Sequence, residues 1–93
     1  MTKDNTDKKP QNDGWFVYIL KCADDTLYTG IAKDVESRVN QHNNDNVKGA
    51  KYTRARRPVT LVYSEVCDSR SSASKREYAV KKLSRAEKLM LIG

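Results

Sequence analysis

Two apolar stretches separated by a short polar gap dominate the first third of the chain. Residues 15–20 are all apolar or aromatic, and residues 27–31 are rich in β-branched, aromatic and small side chains. Residues 23–25, which include two aspartates, interrupt the hydrophobic pattern between them. Runs of this composition on either side of a short polar gap predict a β-hairpin.

The length of the loop decides which side chains of the hairpin share a face. A loop of three residues, 23–25, would pair Tyr18 with Gly30. Such a loop is a type I turn followed by one left-handed residue, a conformation that aspartate tolerates better than most residues. Because side chains alternate along a strand, this register places Tyr18 and Tyr28 on the same face.

A helical period follows the hairpin. Asp34 is a suitable N-cap residue. After it, Val35, Val39 and His42 share one side at the i, i+4, i+7 spacing of an amphipathic helix. Arg38 lies beside His42 at i, i+4. We therefore expect this helix to direct an arginine and the only histidine of the chain toward the hairpin.

The second half of the chain has one strand pattern and then a helical one. Residues 59–66 predict a third strand. A helix capped by Asp68 or Ser69 is expected to run to about Leu83. Glu77 lies at the edge of the apolar stripe of this helix, where a carboxylate usually has a partner.

A last short helix completes the predicted fold. Ser84 and Glu87 have the spacing of a capping box, which marks the start of this helix. The element order is then β-β-α-β-α-α. This order predicts an α+β domain in which a small three-stranded antiparallel sheet is flanked by helices.

Charge is unevenly distributed along the 93 residues. Residues 1–13 carry three basic and three acidic side chains and almost no apolar ones, so we expect a disordered N-terminal tail. The formal net charge of +6 therefore falls on residues 14–93, which we expect to form a single domain. A basic excess of this size on a small domain indicates a polyanionic partner, most often nucleic acid.

Composition also excludes several classes of protein. No apolar run is long enough to span a membrane, and none has the features of a secretory signal. Cys22 and Cys67 are isolated, without a CxxC pair, which is typical of reduced thiols. We therefore expect a cytoplasmic protein with no membrane partner and no small-molecule cofactor. The sequence does not reveal the oligomeric state, and a monomer is the expectation.

The densest basic segment follows the first predicted helix. Residues 48–57 contain five positive charges, one tyrosine and no acid, in a stretch that suits a loop or a short helix. Basic side chains with an interleaved aromatic ring suit a phosphate backbone and a stacked base or sugar. The candidate nucleic-acid contacts are Lys33, Lys48, Lys51, Tyr52, Arg54, Arg56 and Arg57.

The hairpin tyrosines, the Arg38 and His42 helix and the later Glu77 together resemble the GIY-YIG nuclease superfamily. The resemblance covers residues 15 to about 92 and is closest to the small single-domain members. Either signature triplet alone is weak evidence, but the combined spacing of tyrosines, arginine, histidine and glutamate is specific. The Gly-Ile-Tyr signature corresponds to Phe16-Val17-Tyr18, and the Tyr-Ile-Gly signature corresponds to Tyr28-Thr29-Gly30.

This resemblance implies a metal-dependent nuclease that hydrolyses phosphodiester bonds of DNA with low sequence specificity. Glu77 would hold one Mg²⁺ or Mn²⁺, whose other ligands are waters and a substrate phosphate. Arg38 would supply positive charge to the phosphate in the transition state. A signature tyrosine, Tyr18 in preference to Tyr28, or else His42, would activate the attacking water.

Two further expectations concern the surroundings of the tyrosines. A tyrosine that acts as a base needs a pKa well below its usual value of ~10, and a nearby metal, Arg38 and Lys33 are expected to lower it. The missing side chain at Gly30 is expected to let the helix that begins near Asp34 lie close to the strand.

The chain also departs from the family pattern. Many members place an asparagine near the end of the domain, whereas this chain has none after Asn46. A second interpretation therefore stays open, a nucleic-acid-binding module with the GIY-YIG fold and little or no cleavage. A third is a metal-free structural or partner-binding protein. The sequence favours DNA as the partner but does not exclude RNA.

Overall fold

The most apolar stretch of the sequence forms the middle strand of the sheet. The computed structural model describes residues 14–93 and has three antiparallel strands in the order β2-β1-β3. The residues of β1 from Val17 to Leu20 are all buried. A strand covered on both faces is expected to be apolar at consecutive positions rather than at alternate ones. The strands are β1 (Trp15–Lys21), β2 (Leu27–Ala32) and β3 (Thr60–Cys67).

The hairpin of β1 and β2 has the predicted three-residue loop. Tyr18 pairs with Gly30. The amide of Asp25 donates to the carbonyl of Cys22 at 2.9 Å, and Asp25 has a φ of 69°, the left-handed conformation expected at the end of this loop. The predicted register is therefore confirmed, and Tyr18 and Tyr28 lie on one face of the sheet.

Three of the four helices within residues 14–93 begin where the sequence predicts. Asp34, Ser69 and Ser84 each accept a hydrogen bond from the backbone amide three residues later, which satisfies a group that the helix itself leaves unpaired. The fourth is a one-turn helix in the basic segment, where the sequence allowed either a loop or a short helix. The helices are α1 (Val35–Asn44), α2 (Lys51–Arg54), α3 (Arg70–Lys81) and α4 (Arg85–Ile92).

Different helices cover the two faces of the sheet. On one face, Val35 and Val39 of α1 pack against a buried cluster that contains Tyr18. On the other face, Ala73 and Val80 of α3 are buried against β1, and α4 covers the remainder. Burial of an aliphatic side chain stabilises a fold by about 1.5–3 kcal/mol. The predicted α+β architecture is therefore confirmed, with one apolar layer on each side of the sheet.

Two predictions made from the sequence concern the ends of the chain and the membrane. The predicted disordered tail, residues 1–13, lies outside the described residues. Within residues 14–93, none of the helices has both the length and the hydrophobicity needed to cross a membrane.

Gly30 makes room for an aromatic ring. Tyr18 stands opposite Gly30, and the ring of Tyr18 lies over it. A Cβ atom at position 30 would be 2.5 Å from Oη and 2.7 Å from Cζ of Tyr18, which is too short for any non-bonded contact. The expectation that Gly30 admits α1 is therefore wrong, because the nearest group that a side chain would meet is the Tyr18 ring.

We expect Gly30→Ala to destabilise the domain by about 1–3 kcal/mol, because the ring of Tyr18 would have to shift within a packed core. Urea unfolding followed by the fluorescence of Trp15 measures the change. Gly14→Ala is the matched control, since its closest new contact would be a side-chain methyl of the exposed Val66, at 3.2 Å. Equal effects of the two substitutions would contradict the packing role of Gly30.

Candidate active site

A buried hydrogen bond joins β1 to α1. Oη of Tyr18 lies 2.8 Å from Nε2 of His42. His42 is fully buried and Tyr18 is 1% exposed. His42 reaches the sheet because it shares the inner side of α1 with Val35 and Val39, as the helical period predicts. The structure thus brings together a signature tyrosine and the only histidine of the chain.

The second ring nitrogen of His42 is bonded as well. Nδ1 lies 2.7 Å from Oγ1 of Thr53 in α2. Thr53 is fully buried, and its hydroxyl donates to the carbonyl of Ala50 at 3.0 Å. Thr53 has no signal in the sequence, because a threonine within a basic segment carries no chemical pattern of its own. Only its contact with His42 reveals it.

Burial keeps both members of the Tyr18–His42 pair uncharged at neutral pH. Desolvation raises the pKa of Tyr18 to about 12, and the charges of Tyr28 and Glu77 add to this rise, while Arg38 opposes it by hydrogen bonding and by its charge. Desolvation lowers the pKa of His42 to about 4, and the positive charges of Arg38 and Arg57 act in the same direction.

Arg38 lowers the pKa of Tyr18 as expected, but burial outweighs this effect and leaves the net pKa raised. Lys33 is not among the main charges that act on Tyr18. It lies instead on a shallow apolar cleft that is lined by Phe16 and Leu61 and does not include His42.

The second signature tyrosine, Tyr28, connects this buried pair to the surface. Its ring meets the ring of His42 edge-on, with centroids 5.1 Å apart. On its other side it stacks on Tyr52, with centroids 5.9 Å apart and planes inclined by 26°. The guanidinium carbon of Arg56 lies 3.8 Å from the centroid of Tyr52. We call Tyr28, Tyr52 and Arg56 the outer stack.

Arg38 is oriented by the segment that follows α1. Its Nη1 donates to Oε1 of Gln41 at 2.9 Å and to the carbonyl of Lys48 at 2.6 Å. It also lies close enough to Tyr18 for its hydrogen bond and charge to lower the pKa of that hydroxyl. The predicted catalytic arginine is therefore held beside the predicted catalytic tyrosine.

Glu77 reaches the same site from the opposite layer of the fold. It belongs to α3, which packs against both β1 and β2. Its negative charge raises the pKa of Tyr18, so the two side chains interact electrostatically. One carboxylate oxygen of Glu77 lies 3.2 Å from Nζ of Lys81, one helical turn away.

The donor set around Tyr18 fits a hard divalent cation with few protein ligands. Within residues 14–93 there is no group of three or more histidine, cysteine, aspartate or glutamate side chains that would enclose a metal. Glu77 supplies one partly buried carboxylate. Mg²⁺ commonly binds through one or two carboxylates and keeps waters or substrate phosphates as its other ligands. Glu77 is thus suited to this ion, and zinc would need more ligands.

The arginines of the basic segment bind the protein's own carbonyl groups. Arg54 donates to the carbonyl of Asn46 at 2.5 Å. Arg57 donates to the carbonyl of His42 at 2.6 Å, and Arg56 pairs with Asp24 at 3.0 Å. These side chains hold the segment against α1 and the hairpin loop. The lysines of the segment, Lys48 and Lys51, are exposed.

The arrangement of two tyrosines, an arginine, a histidine and a glutamate around this sheet defines a class of catalytic domain. The family model of the GIY-YIG catalytic domain matches residues 14–90, and the chain belongs to this family. Its relatives within the family are UPF0213 proteins. The recognition made from the signature residues is therefore confirmed.

Two UPF0213 proteins illustrate the similarity. The chain is 54% identical over 90 residues to one from Desulfotalea psychrophila, a match that covers 95% of this chain and 81% of the relative. It is 56% identical over 81 residues to one from Staphylococcus saprophyticus, which covers 87% of this chain and 96% of the relative.

Solved structures support the fold. The solution NMR structure of the UPF0213 protein BH0048 from Bacillus halodurans matches with a TM-score of 0.53 at 44% identity, covering 85% of this chain and 82% of that one. The solution NMR structure of the protein EF2693 from E. faecalis matches with a TM-score of 0.57 at 38% identity, covering 83% and 80%.

We expect the free energy of unfolding to fall by up to about 3 kcal/mol between pH 6.5 and about 4, because His42 is neutral in the fold and charged in the unfolded chain over this range. The sign follows from proton uptake: the unfolded state binds more protons here, so stability rises with pH. Urea unfolding at several pH values measures it. His42→Gln is the matched control, and an equally steep pH dependence in that variant would contradict the assignment.

Proposed function

We propose that this protein is a metal-dependent nuclease that hydrolyses phosphodiester bonds of DNA with low sequence specificity. The hydrogen bond between Tyr18 and His42, with Arg38 and Glu77 beside it, carries this proposal. In this arrangement the Tyr18 hydroxyl has a proton acceptor, His42, and it interacts with a cation, Arg38, and a carboxylate, Glu77. Phosphodiester hydrolysis needs these groups to activate water and to stabilise charge on the phosphate.

The proton path runs from the attacking water to His42. The water gives a proton to Oη of Tyr18 while the hydroxyl proton of Tyr18 passes to Nε2 of His42, 2.8 Å away. Burial raises the pKa of Tyr18 to about 12 and lowers that of His42 to about 4, so both groups are neutral at rest and charge separation between them is unfavourable. In the proposed mechanism the two transfers therefore accompany attack on the phosphorus, and Tyr18 does not accumulate in its ionised form.

Exposure separates the roles of the two tyrosines. Tyr18 is 1% exposed, whereas Tyr28 is half-buried and lies on the same face. Substrate meets Tyr28 first, and its hydroxyl holds the attacking water in place. Tyr18, behind it, is the proton acceptor.

Positive charge on the phosphate comes from two sources. Arg38, held by Gln41 and by the carbonyl of Lys48, binds a phosphate oxygen as charge develops on it. A Mg²⁺ or Mn²⁺ ion at Glu77 would stabilise the charge on the scissile phosphate and the leaving oxygen. One carboxylate oxygen of Glu77 lies 3.2 Å from Nζ of Lys81, so Lys81 would compete with the ion for this carboxylate.

Lys48 and Lys51 are exposed cations that we assign to the DNA backbone, with the outer stack beside them. Arg54 of the same segment is exposed as well. Lysine contacts to phosphates carry no sequence information, which supports low sequence specificity. RNA has the same phosphate chemistry, and parallel cleavage assays on the two nucleic acids distinguish them.

We expect Glu77→Gln and Tyr18→Phe each to reduce cleavage about 100-fold or more, because the first removes the carboxylate that holds the metal and the second removes the proton relay. Cleavage of supercoiled plasmid and of a single-stranded oligonucleotide is measured with Mg²⁺, with Mn²⁺ and with EDTA. Glu36→Gln and Tyr78→Phe, both at exposed positions, are the matched controls.

Two outcomes would count against this assignment. Undiminished cleavage by the Glu77→Gln protein would remove Glu77 as the metal ligand. DNA binding by the unsubstituted protein without cleavage in either metal would favour the alternative function, a nucleic-acid-binding module. The lack of any asparagine after Asn46 is the observation that favours this alternative.

We expect the double substitution Lys48→Gln, Lys51→Gln to weaken binding to all DNA sequences alike. The slope of log K against log salt should become shallower by about 2, since each phosphate contact contributes about 0.9. Fluorescence anisotropy at several salt concentrations measures it. Substitution of two exposed lysines on the opposite layer, Lys75→Gln and Lys82→Gln, is the control. An unchanged slope in the Lys48→Gln, Lys51→Gln variant would exclude these two lysines from the interface.

A further inference from the structure

Tyr18, His42 and Thr53 form a buried group of hydrogen-bonded side chains. Thr53 is the member of this group that the proposed mechanism does not use. It lies in α2, its side chain is fully buried, and Oγ1 is 2.7 Å from Nδ1 of His42. Oγ1 of Thr53 also lies 3.0 Å from the carbonyl oxygen of Ala50. A buried hydroxyl in contact with both a histidine ring and a carbonyl constrains the position of every hydrogen between them.

The hydroxyl of Thr53 has one hydrogen to donate. The carbonyl of Ala50 can only accept, so this hydrogen goes to Ala50. Oγ1 of Thr53 then faces Nδ1 of His42 with a lone pair, and Nδ1 must carry the ring hydrogen to complete the bond. In a neutral imidazole only one nitrogen is protonated, so Nε2 is left as an acceptor.

The hydrogen bond at the other ring nitrogen, Nε2, is consistent with this assignment of hydrogens. Nε2 of His42 faces the hydroxyl of Tyr18 at 2.8 Å. With Nδ1 protonated, Nε2 carries no hydrogen, so the hydroxyl of Tyr18 donates to it. Arg38, whose charge acts on Tyr18, only donates and so offers the hydroxyl no competing acceptor. The hydrogen bonds from Tyr18 to Ala50 then all point the same way.

We propose that Thr53 is a positioning residue that selects the Nδ1–H tautomer of His42 and so makes Nε2 the acceptor for the hydroxyl proton of Tyr18. The catalytic consequence rests on the proposed nuclease function, whereas the tautomer itself does not. When Nε2 receives the proton, the bond from Nδ1–H to Thr53 becomes charge-assisted and stronger. A neutral partner also allows His42 to release that proton afterwards, which a buried carboxylate in place of Thr53 would oppose.

The test exploits the fact that the chain has a single histidine. The full chain is labelled with ¹⁵N-histidine, and two-bond ¹H–¹⁵N correlation spectra at neutral pH identify the protonated ring nitrogen. The unsubstituted protein should show a protonated Nδ1 and an unprotonated Nε2. Thr53→Val, which keeps the shape and removes the hydroxyl, should abolish this pattern, and Thr53→Ser should restore it.

Two results would overturn the proposal. The first is a protonated Nε2 in the unsubstituted protein. This measurement needs no variant, so it decides the question even if Thr53→Val fails to fold. The second is an unchanged spectrum in a folded Thr53→Val protein. Thr60→Val, at an exposed position of β3, is the matched control and should leave the histidine spectrum unaltered.

Cleavage assays on the same variants separate this proposal from the proposed function. If the protein cleaves DNA, Thr53→Val should lower kcat about tenfold or more with little change in KM, and Thr53→Ser should recover most of the rate. If the unsubstituted protein cleaves no DNA in any metal, the proposed function fails, while the spectra still decide the role of Thr53. A normal kcat in a folded Thr53→Val protein would contradict a positioning role in catalysis.

Discussion

The hydrogen bond between Tyr18 and His42 determines how α1 meets the sheet. A histidine ring without exposed surface has two polar nitrogens, and each one left unpaired would cost about 1–3 kcal/mol. β1 provides the partner for one nitrogen and α2 provides the partner for the other. The backbone carbonyl of His42 also accepts from Arg57 at 2.6 Å. One residue thus ties together a strand, two helices and the loop that leads to β3, and the orientation of the site follows from satisfying it.

Local rules in the sequence were sufficient for the scaffold. The three-residue length of the hairpin loop sets a register in which Tyr18 and Tyr28 lie on one face. The capping side chains of Asp34, Ser69 and Ser84 mark the starts of three helices. These features depend on neighbours within a few positions, so periodicity and cap chemistry predict them. The spacing of the signature residues then indicated which side chains would meet.

Features that depend on distant parts of the chain were not predictable in this way. The direction of the pKa shift at Tyr18 depends on burial, which only the packed fold determines, and burial outweighs Arg38. Thr53 has no sequence signal, since its partner lies 11 positions away. The sequence shows the arginines of the basic segment only as positive charge. In the fold, Arg54 and Arg57 donate to the backbone carbonyls of Asn46 and His42. Gly30 likewise lies against the ring of Tyr18 on the paired strand, a contact that depends on how the two strands pack.

The bridge between the hairpin loop and α2 has a consequence for the behaviour of the site in solution. Arg56 contacts Asp24 on one side and covers the ring of Tyr52 on the other. Both members of this ion pair are partly exposed, so the pair contributes at most about 1 kcal/mol and weakens as the Debye length falls below ~10 Å above 0.1 M salt. Ionic strength therefore acts on the protein as well as on its phosphate contacts. In concentrated salt the ion pair that helps to hold Arg56 over the ring of Tyr52 is screened, and the outer stack loses that support.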